Sequence, residues 1–152
     1  MGTQARVASD TRSGSIVSRD PCPTVAQLEL IALATSDVEG LRDFYLQLGA
    51  VASPSLADPD TGLRSCVLDF CGVRLELLER PEMADDVAGD EQPGGLSHIG
   101  FALGSADAVD ELSRVIAVAG YRLLGPPRRT GELGRYESVV LDPDGNRLKL
   151  TV

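Results

Sequence analysis

One pattern of elements occurs twice in this chain, and that duplication restricts the fold more than anything in its composition. The first copy opens with Leu28-Glu-Leu-Ile-Ala-Leu-Ala34, a short, bounded apolar run that reads as a strand. Ser36 or Asp37 then offers a helix N-cap, with Glu39 in the first turn. Val38, Leu41, Phe44, Tyr45 and Leu48 follow at helical spacing, and Gly49 stops the helix. A short strand is expected around Val51, then a turn over Asp58-Pro-Asp-Thr-Gly62. Ser65-Cys-Val-Leu-Asp-Phe70 and Val73-Arg-Leu-Glu-Leu-Leu78, joined by Cys71-Gly72, make a hairpin.

The same order returns after a break. His98-Ile-Gly-Phe-Ala-Leu103 reads as a strand, and Ser105 or Asp107 caps a helix running to Ala119. Tyr121-Arg-Leu-Leu124 is a strand ended by Gly125-Pro-Pro127. Tyr136-Glu-Ser-Val-Val-Leu141 and Arg147-Leu-Lys-Leu-Thr151 are strands around the turn Asp142-Pro-Asp-Gly-Asn146. A unit of strand, helix, strand and hairpin repeats at roughly 70 residues, beyond solenoid periods. One such unit cannot bury both faces of its sheet. The fold predicted is therefore α+β: two βαβββ modules forming a paired, cupped mixed sheet around a pocket, with the helices on the outside. Residues 1–24 lack periodicity and read as a flexible tail, 25–80 as the first module, 81–96 as an acidic Pro/Gly linker, and 97–152 as the second module.

Composition removes several classes of function. The net charge of -9 comes from dispersed acidic residues without a basic stripe, which argues against nucleic-acid binding. No apolar run reaches the roughly 20 residues of a membrane span. The polar N-terminus lacks the apolar segment of a secretory signal, so a cytoplasmic location is expected. Cys22, Cys66 and Cys71 are odd in number and form no Cys-x-x-Cys pair, so no disulfide framework is expected. Gly94-Gly95 reads as linker rather than as a phosphate cradle.

Pleat parity sorts the hairpin residues by face. Counting outward from Cys71-Gly72, Val67 stands opposite Glu76 and Asp69 opposite Arg74 on one side of the sheet. Cys66, Leu68, Phe70, Val73, Leu75 and Leu77 occupy the other side, which must meet the helix. Glu76 therefore points into the pocket. In the second hairpin, Glu137, Val139, Arg147, Lys149 and Thr151 share one side by the same count.

Several segments resemble the glyoxalase/bleomycin-resistance/dioxygenase superfamily, also called vicinal oxygen chelate proteins. They are Leu33-Ala-Thr-Ser-Asp37 with Phe44-Tyr45, Arg74-Leu-Glu-Leu77, Gly95-Leu-Ser-His-Ile-Gly-Phe101 and Asp142-Pro-Asp-Gly-Asn-Arg147. Arg-Leu-Glu on one hairpin and Tyr-Glu-Ser before the last turn are most similar to the bacterial lactoylglutathione-lyase-like subgroup. The resemblance implies one metal ligand on the first and last strand of each module. Those positions hold Leu30, Glu76, His98 and Lys149 here. Leu30 has no donor atom and Lys149 carries a cation, whereas a catalytic divalent metal needs at least three protein ligands. Two ligands beside an ammonium group would hold a cation poorly. No metal and no cofactor is therefore expected, although Glu137 is a conceivable further ligand.

The expected catalytic groups are Glu76, His98 and Lys149, with Leu30, Val67, Glu137 and Val139 contacting the ligand. Glu76 is read either as a general base or as an ion-pair partner of Lys149. His98 is either structural or a pocket residue suited to proton transfer near neutrality. Lys149 either stabilises an enolate or oxyanion, or pairs with Glu76 or Glu137. Asp69 and Arg74 are expected to form a cross-strand ion pair. Cys66 is expected to be buried, Cys71 to lie in a turn, and Tyr136 either at the pocket rim or under a helix.

The functional reading is a glyoxalase-like small-molecule enzyme of isomerase, lyase or cyclase type, using acid–base chemistry without the family's metal. The alternative is a protein of the same fold that binds and sequesters a small molecule or drug. The expected partners are a small-molecule ligand and a second copy of the chain in a homodimer, with no nucleic acid and no membrane.

Overall fold

The computed structural model describes residues 28–82, 95–131 and 134–152. The tail expected over 1–24 and most of the 81–96 linker lie outside the described residues. The first half runs β1 (Ile31–Thr35), α1 (Val38–Gln47), β2 (Val51–Ala52), β3 (Leu56–Ala57), β4 (Arg64–Phe70) and β5 (Val73–Glu79). The second runs β6 (Ile99–Ala102), α2 (Ala106–Val118), β7 (Leu123–Thr130), β8 (Arg135–Leu141) and β9 (Arg147–Thr151).

Strand order is β1-β5-β4-β2 in one sheet, with β3 also on β4, and β6-β9-β8-β7 in the other. In each sheet the first strand pairs parallel with the last, and the remaining pairs are antiparallel. This is the duplicated α+β arrangement, two mixed sheets with the helices outside them. No helix among the described residues is long and apolar enough to cross a membrane.

Helix starts follow local chemistry. Asp37 caps α1, its carboxylate accepting from the Gly40 amide at 2.9 Å, and Ser105 caps α2 through the Ala108 amide at 3.1 Å. Each helix lays its apolar stripe on one face of its own sheet: Val38, Leu41, Phe44 and Tyr45 from α1, Val109 and Ile116 from α2. Beneath them lie Leu33, Cys66, Leu68, Leu75 and Leu77, and in the other half Val140, Leu148 and Leu150. One continuous core results. Edge-to-face rings join its halves on the helix-covered side, Phe44 to Tyr121 at 4.8 Å and Phe70 to Phe101 at 5.1 Å. The opposite faces are accessible in the single chain: Ala32, Gly100 and Ala102 are exposed, and Val67, Glu76, Val139 and Lys149 half-buried.

Three local expectations need correction. The strand expected at 121–124 continues through Gly125-Pro-Pro127 as β7, because β7 is an edge strand where a missing proline N–H is tolerated. Register shifts on either side of Gly125 absorb the irregularity. Next, Asp69 stands opposite Arg74 but does not pair with it. The short aspartate accepts instead from the nearby Gly72 amide at 2.9 Å, and the long Arg74 side chain reaches Glu29 at 3.0 Å. Finally, the first strand of each half starts later than expected, so Leu30 and His98 each lie one residue before β1 and β6 rather than within them.

The β4–β5 turn carries removable strain. Cys71 is exposed and has φ 54°, followed by Gly72 at φ 95°. Positive φ at both central residues is what a type I′ turn requires, and it favours Asn-Gly. A left-handed residue other than Gly, Asn or Asp costs roughly 1–2 kcal/mol. Cys71→Asn is expected to raise stability by about 0.5–1 kcal/mol, read as a higher urea midpoint at unchanged slope; a lower midpoint would count against this account of the turn.

Candidate functional site

The site begins with strand parity. Leu75 and Leu77 are buried under α1, so the intervening Glu76 projects from the opposite face of β5. Its lateral neighbours in register are Ala32 on β1 and Val67 on β4, neither able to donate a hydrogen bond from its side chain. Among the described residues Glu76 has no side-chain hydrogen bond and no ion pair. It borders a cavity of about 370 Å³ whose lining includes Leu63, Ser65, Leu78, Glu79 and Arg80.

Lys149 occupies the corresponding position in the second half, beside Gly100 on β6 and opposite Val139 on β8. Its ammonium lies 3.2 Å from Glu137, and the two side chains are 32% and 14% accessible respectively. A hydrogen bond from Thr130, with help from Lys149 and Arg128, holds the Glu137 carboxyl below its usual range. Of the two pairings open to Lys149, the structure takes Glu137, and the Glu76–Lys149 pair is absent. Glu137 and Lys149 are diagonal neighbours on adjacent strands, whereas Glu76 belongs to the other sheet.

Leu30 and His98 are equivalent too. Leu30 lies two residues before Ala32, the register partner of Glu76, and His98 two before Gly100, the partner of Lys149. Both just precede their strands. Leu30 is half-buried; His98 is exposed, with its Nδ1 3.3 Å from the Ser97 hydroxyl. No hydrogen bond or ion pair joins any two of Glu76, His98 and Lys149. The cavity at Glu76 is lined from residues 58–80 only.

The residues at the four positions that the resemblance implies for a metal do not fit a divalent ion. Leu30 offers hydrocarbon, and Lys149 offers a cation already neutralised by Glu137. Glu76 and His98 alone fall short of three protein ligands. Among the described residues no group of three or more His, Cys, Asp or Glu side chains is placed to hold a metal.

Parity could have found Ser65 and Leu78, which share the face of Glu76; Arg80, just beyond β5, had no periodic signal. Tyr136 is on the helix side, donating to Asp110 of α2 at 2.7 Å, not at a pocket rim. Cys66 is buried, its thiol pushed up by burial.

Residues 27–150 match the model of the Glyoxalase/Bleomycin resistance protein/Dioxygenase superfamily. A glyoxylase/bleomycin resistance protein/dioxygenase domain from Frankia sp. is 18% identical, with a TM-score of 0.69 over 85% of this chain and 98% of that one. A family enzyme from Burkholderia phytofirmans is 24% identical, with a TM-score of 0.66 over 83% and 98%. A mutant fosfomycin resistance protein from Listeria monocytogenes, complexed with Mn(II) and 1S,2S-dihydroxypropylphosphonic acid, is 21% identical, with a TM-score of 0.63 over 84% and 93%. No curated protein sequence matches the chain. At these identities the structural likeness establishes the fold, while the family model spans well over half of the sequence. The chain belongs to the glyoxalase/bleomycin resistance protein/dioxygenase superfamily.

Proposed function

We propose that this chain is a small-molecule enzyme of isomerase, lyase or cyclase type that works by acid–base chemistry, with Glu76 as the base and no divalent metal. One observation carries the reading: a half-buried carboxylate without a partner among the described residues, standing between Ala32 and Val67 at the wall of a cavity. Without a hydrogen bond among the described residues, both oxygens are free to take a proton from a bound carbon acid.

The test follows exchange of carbon-bound hydrogen for deuterium in small carbonyl compounds, by NMR in heavy water. Glu76→Gln is expected to slow exchange at least about a hundredfold, the lower end of general-base contributions. Ligand binding with no turnover, unchanged by Glu76→Gln, would favour the sequestering alternative.

The reading includes a homodimer. The face bearing Glu76 and the face bearing His98 and Lys149 belong to different sheets, each open in the single chain. Val51 and Leu56, on the Glu76 side by register, are 71% and 67% exposed. Pairing the first sheet of one copy with the second sheet of another covers this apolar surface and sets Glu76 across from His98 and Lys149, twice per symmetric dimer. Sedimentation at micromolar concentration should give a dimer; a monomer would count against this reading.

A further inference from the structure

We propose that the ligand of the Glu76 cavity carries an anionic head, a carboxylate or phosphonate, held by Arg80. The inference rests on the cavity being the ligand site. It is drawn from the charges around that cavity, most of which are already engaged. Asp58 accepts from the Asp60 amide and from the amide and hydroxyl of Thr61. Glu79 accepts from the Arg64 amide at 2.8 Å. The Arg64 guanidinium is paired with Glu39.

Asp58 and Glu79 keep their negative charges, and two further charged side chains, Glu76 and Arg80, have no ion pair among the described residues. The Arg80 guanidinium makes one hydrogen bond, to the neighbouring Glu79 carbonyl at 3.1 Å, and no ion pair among the described residues. Its backbone is fixed, because the Arg80 amide donates to the Thr35 carbonyl at the end of β1 at 2.7 Å. A half-buried guanidinium with most of its donors unused, on an anchored backbone, is suited to fork-shaped recognition of a carboxylate or phosphonate.

The arrangement also orients the ligand. Glu76, like Asp58 and Glu79, repels a second negative charge, so the anionic head belongs at Arg80, the lining cation not already paired, and the neutral, proton-losing part at Glu76. Ser65, one pleat along from Val67, presents a hydroxyl with no hydrogen bond of its own among the described residues, and Leu63 and Leu78 supply apolar wall. A volume of about 370 Å³ lies at the small end of ligand pockets, as a compact acid requires.

The test is an amide NMR titration of the full chain with sodium pyruvate and, separately, methylphosphonate, with methyl pyruvate as the neutral control. Saturable shifts are expected at Ser65, Leu78 and Arg80 with one or both anions, and none with the ester; the arm that responds identifies the head group. Arg80→Gln should weaken anion binding about tenfold or more, and Arg80→Lys should retain part of it. Glu76→Gln removes a repelling charge and should tighten anion binding while slowing proton exchange, so the two readouts move in opposite directions. Equal affinity in Arg80→Gln, or shifts centred on Arg147 and Lys149, overturns the proposal. Glu76-dependent exchange without anion binding would overturn the anion subsite alone.

Discussion

Asp142→Ala is expected to destabilise the protein by about 3–5 kcal/mol, among the largest losses for a single side chain. Asp142 is 4% exposed, and its carboxylate accepts four hydrogen bonds. They come from the Tyr45 hydroxyl at 2.9 Å, the Asp144 amide at 3.1 Å, the Asn146 amide at 2.8 Å and the Asn146 side-chain amide at 2.9 Å. Three of these organise the β8–β9 turn. The fourth ties that turn to α1 in the other half of the molecule. Alanine would leave a fully buried tyrosine hydroxyl without an acceptor and release the turn's amides together. Tyr45→Phe removes one donor only and should cost about 1–2 kcal/mol. Urea denaturation of the three proteins compares these values. A loss below about 0.5 kcal/mol for Asp142→Ala, the range of ordinary surface changes, would show that this cross-link carries little of the fold's stability.

The same cluster predicts how stability varies with pH. Burial raises the Asp142 carboxyl above its ordinary range, although the Asn146 and Tyr45 hydrogen bonds pull it down, and burial also raises Asp144. Both groups hold a proton more tightly folded than unfolded. Their contribution is therefore fully present below the unfolded value of about 3.9 and is lost as pH rises through their folded values. Asp58, Glu111 and Glu137 are lowered and contribute in the opposite direction. They lie near the surface, where solvent screening reduces the effect. Asp142→Asn should flatten the decline of stability above pH 4.

How far the sequence could be read depended on whether a contact was local. Alternation of Glu76 with Leu75 and Leu77 is a two-residue pattern, and the pleat converts it directly into two faces. The duplication was legible for the same reason, since each copy is a run of local signals. Lys149 shows where that reasoning ends. Parity put Lys149 and Glu137 on one face, yet it could not choose between Glu137 and Glu76, because it does not encode how one sheet sits against the other. The Asp142–Tyr45 bond joins residues 97 apart. From the sequence, Asp142 is simply the first residue of a turn. The prolines of β7 misled because a proline in a strand reads as a stop unless the strand is known to be an edge.

In metal content, the unmodified protein is expected to retain less than about one-tenth of an equivalent of zinc, nickel, iron or manganese after dialysis, since two donors fall below the usual three. The reason lies in two side chains. Leu30 occupies the place related to Glu76 as His98 is related to Lys149, but it supplies no lone pair. Lys149 places an ammonium on the other sheet and engages Glu137, the nearest spare carboxylate. Leu30→His adds a donor but leaves that positive charge. Lys149→Glu removes the charge and frees Glu137, yet leaves Leu30 without a donor. The double change supplies four donors if the two sheet faces meet, and it should bind metal orders of magnitude more tightly than either single change. Two carboxylates placed side by side on β8 and β9 would also repel each other until a cation bound between them. Elemental analysis of the four proteins decides the matter. Stoichiometric metal in the unmodified chain, lost on His98→Ala, would mean that His98 is joined by ligands outside these four positions and that the chemistry is metal-dependent. A double variant that stays empty although dimeric would mean that the two faces do not meet in the way the proposed site requires.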